Sequence, residues 1–460
     1  MAMRKIGIAF LRHPAVGSLL LLLIPGLSLK RWLALGAIGI AAVAIGIVFA
    51  LKLSLGPGFH SFVGVLSLRD APPTVRGGVF IAIGVVAAGA ATAGLVASLA
   101  EVWLRKRHGR FLDSLYVERV LSGGPNVVAI GGGSGLPNLL RGLKHYTSNI
   151  TAVVTVADDG GSSGRLRSEL GILPPGDIRN CLVALADSEA VMQELMDYRF
   201  STNGQLDGHS FGNMLIAALA SIGGDFYKGV VAAGKLLAVR GSVVPSTFTD
   251  VTLVGSTVSG RRLIGESRIG TSEERLQSLA LMPSDAPGHP DAVKAIKEAH
   301  LIVLGPGSLF TSIVPNLLVR EISAAIADSS ALKMYICNVA GEPGATVGYS
   351  IMDHLNVVRH YAGEAGVNVV IANSNVAHSD GSDGLNIIPP KAAWDDDTIY
   401  VSADVINEES PSRHDSAKLA SAISEAYQRH RGKRRRLPRL RRSLQQSYLA
   451  AGGSGRLGAQ

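Results

Sequence analysis

Short runs of glycine, hydroxyl and acidic residues recur in this 460-residue sequence, and several of them directly follow an apolar stretch. The first run, GGGSG, consists of Gly131, Gly132, Gly133, Ser134 and Gly135. Successive glycines allow backbone N–H groups to converge on a phosphate beside the positive N-terminus of a helix. No Gly-Lys-Ser/Thr follows, and Leu136 replaces the last glycine of the dinucleotide fingerprint. The run therefore indicates either an anion cradle or a plain tight turn.

The second run is DDGGSSGRLR, which begins at Asp158. Asp158 and Asp159 are suited to a divalent cation or to ribose hydroxyls, and Ser162, Ser163 and Arg165 are suited to phosphates. A flexible surface loop is the alternative interpretation. Ligand binding is favoured because the run follows a buried strand, where α/β sheets bind their ligands.

Two further segments open predicted helices. In PPGDIRN, Asp177 either caps its own helix or contacts a ligand, and Arg179 and Asn180 lie in the first turns. In GHSFGN, His209 contacts a phosphate, acts as an acid or base, or is structural, and Asn213 follows it.

Three segments nearer the C-terminus complete the candidate set. LGPGSLFTSIVPN ends an apolar strand with Gly-Pro-Gly and then offers hydroxyl groups, which indicates a second anion or sugar cradle. An Arg-His pair precedes the last predicted helix, where the arginine pairs with a diphosphate or the segment simply caps the helix. The candidates in these segments are Gly305, Gly307, Ser308, Thr311, Asn316, Asn338, Arg413 and His414.

This set of residues indicates binding rather than nucleophilic catalysis. The sequence has no Gly-x-Ser-x-Gly elbow set between a strand and a helix with an evident histidine and acid, and no histidine pair with metalloprotease spacing. Its two cysteines exclude a disulfide framework and a cysteine-rich zinc site, and Cys181 lies in an apolar helix. Backbone donors, hydroxyls, carboxylates and arginines suit a nucleotide diphosphate or a nucleotide sugar.

The elements that must position these residues alternate between strands and helices. Apolar strands are predicted at 126–130, 150–156, 301–304, 334–336, 367–371 and 398–401. Strands that alternate with helices form a mostly parallel sheet, so we expect an α/β fold. The span 251–269 alternates in polarity and carries glycine turns, which predicts a small antiparallel insertion.

Residues 1–110 predict a membrane anchor. The uncharged runs at about 32–51 and 77–100 are long enough to span a bilayer. More basic residues flank their outer ends than lie in the connection, which predicts a transmembrane hairpin with both ends in the cytosol. Two buried core helices are the alternative. The run 15–29 is short and contains Pro25, so an interfacial or re-entrant segment is favoured over a cleaved signal peptide.

The positive charge is confined to the C-terminal end. The segment 429–442 contains nine Lys or Arg residues, and subtracting them from the net charge of +8 leaves −1 for the rest. A nucleic-acid groove spread over the fold is therefore excluded. We expect residues 429–460 to form a basic disordered tail that contacts membrane lipid.

Over residues 124–428 the motifs, in their order, resemble those of the YvcK-type gluconeogenesis factors, which form a superfamily with the 2-phospho-L-lactate transferase CofD. The resemblance implies a Rossmann-like fold for residues 120–428. It also implies binding of UDP-sugars, notably UDP-N-acetylglucosamine, and support of cell shape and envelope synthesis during gluconeogenic growth. The transferase branch moves a phospholactyl group from a guanosine-diphosphate donor to a deazaflavin and uses Mg²⁺.

The resemblance also implies roles for individual residues. It places the glycine run at the nucleotide end, Asp158 and Asp159 in the acidic loop shared with the transferases, and Arg413 and His414 near the diphosphate or sugar. Asn213, Gly305 to Ser308 and Asn316 match other pocket positions. The segment CNVAGEPGAT at 337–346 departs from the family pattern by losing a hydroxyl and an acid, which bears on sugar specificity.

Two functions are consistent with this sequence. The first is a non-catalytic, UDP-sugar-binding regulator, tethered to the inner membrane with its binding domain in the cytoplasm and acting on envelope-synthesis proteins. A homodimer is a further expectation, and nucleic acid is not an expected partner. The second is a phospholactate-type transferase, in which Asp158, Asp159 and Asp177 hold Mg²⁺ or activate an acceptor hydroxyl. The motifs themselves require no cofactor.

Overall fold

The computed structural model describes residues 29–51, 72–103, 119–187, 190–342, 346–377, 387–390, 394 and 398–431. The chain divides into two units, Met1–Gly123 and Gly124–Gln460. Residues 15–28 of the predicted interfacial segment, the connection 52–71, and the predicted tail beyond Arg431 lie outside the described residues.

In the first unit, two helices pack closely against each other: α1 (Leu29–Ala50) and α2 (Pro73–Trp103). A Cβ atom on Gly39 would lie 2.9 Å from the carbonyl oxygen of Gly84, and one on Gly46 would lie 2.8 Å from that of Gly77. Small residues allow such an approach of two backbones. The two helices are antiparallel, since Gly39 faces Gly84 and Gly46 faces Gly77.

Within the described residues, one helix is long and apolar enough to cross a membrane, judged by length and composition. This is α2, over Gly77–Gly94. The apolar stretch of α1, Ala34–Val48, is shorter, and two bent helix pairs of the second unit reach that length only if each pair is counted as one span. The predicted transmembrane hairpin is therefore not supported, because only one of its two helices, α2, meets these criteria of length and composition.

The second unit is built on a seven-stranded sheet in the order β10-β9-β8-β7-β1-β2-β3, in which every pairing is parallel. The predicted α/β class with a mostly parallel sheet is confirmed. Most strands of the sheet are buried apolar runs, as expected for a parallel sheet covered on both faces. The strands are β1 (Val127–Gly131), β2 (Ile150–Val154), β3 (Ser242–Pro245), β7 (Leu301–Leu304), β8 (Leu332–Ile336), β9 (Val369–Asn373) and β10 (Ile399–Ala403).

A three-stranded antiparallel sheet, in the order β5-β4-β6, confirms the predicted insertion. Its strands are β4 (Thr252–Thr257), β5 (Arg262–Ile264) and β6 (Leu276–Met282). The predicted span 251–269 contains β4 and β5 but stops before β6. Strand β6 lacks a regular two-residue burial pattern, because its pairing with β4 shifts at Ser256/Thr257.

Helices connect these strands. They are α3 (Gly135–Leu143), α4 (Gly161–Leu170), α5 (Gly176–Leu185), α6 (Ala190–Asp197), α7 (Phe211–Gly223), α8 (Phe226–Leu236), α9 (Glu266–Gly270), α10 (Pro290–Lys297), α11 (Val314–Leu317), α12 (Arg320–Asp328), α13 (Ile351–Ala362) and α14 (Ser416–Arg431). A π-helix (Leu309–Ile313) precedes α11, and a 3-10 turn (Glu364–Gly366) precedes β9.

The strand order reverses between β1 and β7. From β1 the chain proceeds outward through β2 to β3, and after the insertion it returns to β7 on the other side of β1. Val127 of β1 is therefore paired with Ile150 of β2 and with Leu301 of β7. Ligands of open α/β sheets bind at such a switch point, outside the carboxyl ends of the strands.

Candidate functional site

The two glycine loops predicted from the sequence meet at this switch point. A Cβ atom on Gly135, at the start of α3, would lie 2.5 Å from the carbonyl oxygen of Pro306. A Cβ atom on Gly307 would lie 3.3 Å from the carbonyl oxygen of Gly132. Backbone therefore packs on backbone where the loops after β1 and β7 touch, and the N-terminus of α3 opens beside this junction.

Asn316 holds the same junction in place through its side-chain amide. Its side-chain amide donates to the carbonyl oxygens of Gly131, at 3.0 Å, and Ser312, at 2.8 Å. The side chain is fully buried, and its Oδ1 atom has no hydrogen-bond partner in the described part of the chain. Asn316 thus positions the first glycine loop from the π-helix region.

Asp177 contacts the first glycine loop and does not cap its own helix. Its Oδ2 accepts a hydrogen bond of 2.7 Å from the backbone N–H of Gly133, which has a φ of +60°. Burial, with a smaller contribution from Asp158, raises the pKa of Asp177 to about 6 against the opposing effects of Gly133 and Arg179. At neutral pH the carboxyl group is therefore mostly ionised. The region at the carboxyl edge of the sheet that is bordered by the two glycine loops, the acidic loop and Asp177 is called the cleft below.

The two carboxylates of the acidic loop have different surroundings. Asp158 accepts from the backbone N–H of Gly160 at 2.9 Å and faces Gly176, the residue before Asp177. Asp159 accepts from Ser267, at 2.9 Å from the backbone N–H and 2.7 Å from the hydroxyl. Asp158 thus borders the cleft, and Asp159 fastens the acidic loop to the antiparallel insertion.

Glu266 lies beside this acidic loop and was not among the predicted site residues. Asp158, Asp177 and Asp159 act electrostatically on its carboxyl group, and the Thr311 side chain counteracts their effect on its pKa. Burial, followed by those three carboxylates, raises the pKa of Glu266 to about 7. The only signal in the sequence is an acid after a glycine turn, which is too common to single out.

Several predicted binding residues instead form a buried polar network between α4, α5 and α7. The Ser162 hydroxyl lies 3.0 Å from His209 Nδ1 and accepts from the Asn213 amide at 3.2 Å. Arg179 donates to Asn213 at 3.3 Å and to the Ser210 hydroxyl at 2.5 Å. These side chains bond to one another, although Arg179 Nε has no partner in the described part of the chain. Burial lowers the pKa of His209. The structural interpretation of His209 is therefore the one the geometry favours.

Two neighbouring candidates also bond within the protein, and a third packs inside it. Arg165 donates to the carbonyl oxygen of Asp207 at 2.6 Å, and the Asn180 side chain accepts from Arg179 at 2.6 Å. Ser163 is buried against Gly176, where a Cβ atom would lie 2.3 Å from its hydroxyl oxygen. None of these contacts places a charged group against the glycine loops.

On the β7 and β8 side of the junction, a buried carboxyl group connects two predicted residues. Glu342 accepts from the Ser308 hydroxyl at 2.8 Å and from the Asn338 amide at 3.1 Å. Burial raises the pKa of Glu342, whereas both hydrogen bonds lower it. Glu342 lies in the segment 337–346 discussed above but was not among the predicted site residues. Its two hydrogen bonds fix the edge of the second glycine loop.

The Arg-His pair before α14 splits between surface and core. His414 is buried, and its Nε2 lies 3.2 Å from the carbonyl oxygen of Cys337 at the end of β8. Burial lowers the pKa of His414 to about 4, so the ring is neutral and anchors α14. Arg413 is exposed beside it.

The carboxyl groups at the cleft do not form a metal cage. Among the described residues, no group of three or more His, Cys, Asp or Glu side chains is arranged to hold a metal ion. Asp159 is engaged by Ser267, and Asp177 by Gly133. These residues therefore do not fit a resident Mg²⁺ ion held by protein ligands alone.

Two cavities of the second unit lie apart from this cleft. One, of about 410 Å³, is lined by residues including Lys294 and Glu321, and the other, of about 300 Å³, by residues including Phe310 and Tyr361. Neither cavity is lined by a predicted site residue.

Comparison with known proteins places the chain among relatives. Residues 127–386 match the family described as 2-phospho-L-lactate transferase CofD. A Nostoc relative is 45% identical over 346 residues, which cover 74% of this chain and 75% of the relative. The gluconeogenesis factor of Bacillus subtilis is 46% identical over 250 residues, which cover 54% of this chain and 79% of that protein.

A crystal structure of a Bacillus halodurans protein is similar to this chain with a TM-score of 0.62 and 40% identity, covering 65% of this chain and 99% of that one. The family match extends from β1 to β9 of the parallel sheet. The chain belongs to the family that comprises CofD and the gluconeogenesis factors.

Proposed function

We propose that the second unit binds a nucleotide sugar, UDP-N-acetylglucosamine first of all, and acts as a regulator of envelope synthesis and cell shape during gluconeogenic growth. The observation that carries the proposal is the junction of two glycine loops at the switch point between β1 and β7. Its relatives include proteins named gluconeogenesis factors.

The cleft offers the groups that such a ligand requires. The N-terminus of α3 and the backbone N–H groups around Ser134 attract a diphosphate. The Ser308 side adds a second loop with backbone donors. A sugar and a ribose carry hydroxyl groups that donate to carboxyl oxygens, which Asp158 and Asp177 supply at the other side of the first loop.

Calorimetry on the full chain in detergent tests the proposal. We expect UDP-N-acetylglucosamine to bind, UDP to bind more weakly, and GDP to bind weakest, with no product formed. A full chain that binds no UDP-N-acetylglucosamine at millimolar ligand contradicts it.

A transferase is the second candidate, favoured by the match to the CofD family and by the carboxyl groups of Asp158 and Asp177. In that case guanosine nucleotides bind more tightly than uridine nucleotides, and a phosphorus NMR signal from a new diester grows when Mg²⁺, donor and acceptor are present. Preference for uridine without turnover excludes this candidate.

We also propose that the first unit tethers the chain to the inner membrane as a hairpin, with the second unit in the cytoplasm. The length of α2, the glycine contacts between α1 and α2, and outward apolar side chains support it: Ile40 is 69% exposed and Val86 72%. The basic tail is proposed to rest on anionic lipid, near envelope-synthesis proteins. Alkaline carbonate should leave the chain in the membrane pellet, and release of the chain contradicts the tether.

A further inference from the structure

Both ends of the second unit lie at the amino edge of the parallel sheet, where the strands begin. The chain enters the unit at Gly124, directly before β1. It leaves through α14, which starts near the carboxyl edge, where His414 is anchored at the end of β8. Further along, α14 packs beside Tyr146 at the amino edge: burial raises the pKa of this tyrosine, Ser421 lowers it and Glu425 raises it. The basic C-terminal segment therefore begins at the edge where the chain enters.

Basic side chains collect at this edge although the second unit is acidic as a whole. Residues 124–428 contain 21 Lys or Arg and 32 Asp or Glu. In the last turns of α3, α8 and α10, and in the loops that lead from them into β2, β3 and β7, six of the seven charged residues are nevertheless basic. The six, called the basic edge below, are Arg141, Lys144, Lys235, Arg240, Lys294 and Lys297, and the seventh is Glu298.

The charges on the α3 side of the basic edge are only partly neutralised. Arg240 pairs with Asp187 at 2.5 Å, and the Lys144 ammonium group donates to the carbonyl oxygen of Ala186 at 2.8 Å. Burial, then Arg240 and Arg141, lower the pKa of Lys144 against the opposing effect of Asp187. Two arginines thus act on this lysine against one carboxylate, so this side of the edge retains positive charge.

The lysines on α8 and α10 are exposed, and an exposed leucine accompanies them. Among the described residues, no hydrogen bond or ion pair engages the side chains of Lys235, Lys294 and Lys297. Leu236, next to Lys235, is 60% exposed. Basic side chains around an exposed apolar one suit a bilayer surface, because the charges meet anionic headgroups and the apolar group enters the headgroup region.

We propose that the basic edge is a docking surface for the anionic lipid headgroups of the cytoplasmic leaflet. This inference rests on the proposed membrane tether and extends it from the two chain ends to the folded surface between them. The rest of the unit carries an excess of acidic residues, which anionic lipid repels. The field of the leaflet therefore turns the basic edge, and not the cleft, towards the bilayer.

Fluorescence quenching on the full chain in lipid nanodiscs tests the inference. A fluorophore is attached through Ser242→Cys, exposed at the start of β3, or through Ser412→Cys, exposed at the carboxyl edge; the native Cys181 and Cys337 are buried. The nanodiscs carry a headgroup quencher and contain phosphatidylcholine alone or with an equal part of phosphatidylglycerol. We expect phosphatidylglycerol to increase quenching at position 242 at least about twofold and to leave position 412 unchanged. About 1 M NaCl, which shortens the Debye length to about 3 Å, should abolish the increase.

Charge reversal identifies the surface responsible. The triple variant Lys235→Glu, Lys294→Glu and Lys297→Glu should reduce the increase at position 242 at least about twofold. The matched control makes the same change in charge away from the basic edge, with Lys228→Glu at the start of α8 and Arg261→Glu and Arg262→Glu in the antiparallel insertion. It should retain the increase. All six side chains are exposed, so thermal melts of both triple variants should match that of the wild type.

Three results overturn the inference. Equal quenching at positions 242 and 412 shows that no one edge faces the lipid. An increase that the lysine variant leaves unchanged assigns the contact to the C-terminal segment alone. An increase that both triple variants reduce equally reports the net charge of the unit and not this surface. A chain that does not enter the nanodiscs overturns the proposed tether itself.

Discussion

Two polar regions of the second unit lie on neighbouring elements and differ in how their charges are satisfied. In the brace, formed by Ser162, Arg179, His209, Ser210 and Asn213, each side chain bonds to another. In the cleft, Asp177 and Glu266 keep carboxyl groups whose pKa values are raised towards neutrality. Polar motifs of this chain thus divide into a set whose side chains bond to one another and a set whose carboxyl groups keep raised pKa values.

The largest expected effect comes from breaking the brace. Arg179→Met removes the donor to Ser210 and Asn213 and leaves both buried without that partner. We expect a loss of about 3 kcal/mol in the free energy of unfolding, measured with urea. Ligand affinity of the folded variant should change less than about twofold. A stable variant that loses ligand binding would instead show that Arg179 takes part in ligand binding.

The next effect concerns pH. The pKa of His414 is about 4 in the folded chain and about 6.5 when unfolded, so the unfolded chain binds more protons between these values. Stability conferred by the neutral ring is present above pH 6.5 and is lost as the pH falls towards 4, by about 3 kcal/mol in total. In His414→Gln that loss should disappear, as measured by urea unfolding from pH 7 to pH 4.

Glu266 provides the opposite control. Its pKa is raised from 4.5 to about 7 on folding, so stability is lost as the pH rises from about 4.5 to 7. Glu266→Gln should remove this loss and leave that of His414. If both variants remove a loss of stability in the same pH direction, the inferred difference between the buried histidine and the carboxyl group is wrong.

A smaller effect is expected at the loop junction. Gly135→Ala places a Cβ atom 2.5 Å from the carbonyl oxygen of Pro306, which is backbone and cannot rotate away. We expect a loss of about 1–3 kcal/mol in stability, together with weaker ligand binding. Gly204→Ala, at a glycine whose nearest neighbour would be 4.0 Å away, is the control and should retain affinity. Normal binding by Gly135→Ala contradicts a ligand at this junction.

The smallest effect concerns the fastening of the insertion. A double-mutant cycle with Asp159→Ala and Ser267→Ala should give a coupling energy of about 1 kcal/mol, since the contact is partly exposed. Because this contact holds the insertion beside the acidic loop, the single variants should also weaken ligand binding. Zero coupling would show that the insertion is held by other contacts.

The strands and the location of the site followed from local patterns. Leu301–Leu304 was predicted with its exact ends and the other predicted strands to within two residues, and the glycine loops were predicted at the carboxyl edge. Strand β3 was missed because it has four residues and ends in Pro245, and proline is depleted from strands.

The roles of individual polar residues depended on tertiary contacts that no local pattern encodes. From the sequence, Asp177 is equally consistent with a cap for α5 and with a ligand contact. Its hydrogen bond with the backbone of Gly133 depends on the fold, which brings these two residues together. Glu266 becomes notable only when the insertion packs beside the acidic loop. Hydrogen bonds between segments 44 and 108 residues apart decide which contacts Asp177 and Asp159 make.

The antiparallel insertion leaves the scaffold after β3 and rejoins it before β7, so its length and composition can drift without altering the register of any parallel strand. One carboxylate–serine contact fastens it next to the acidic loop. Changes confined to this insertion would therefore alter the surroundings of the acidic loop without shifting the strands that carry the two glycine loops.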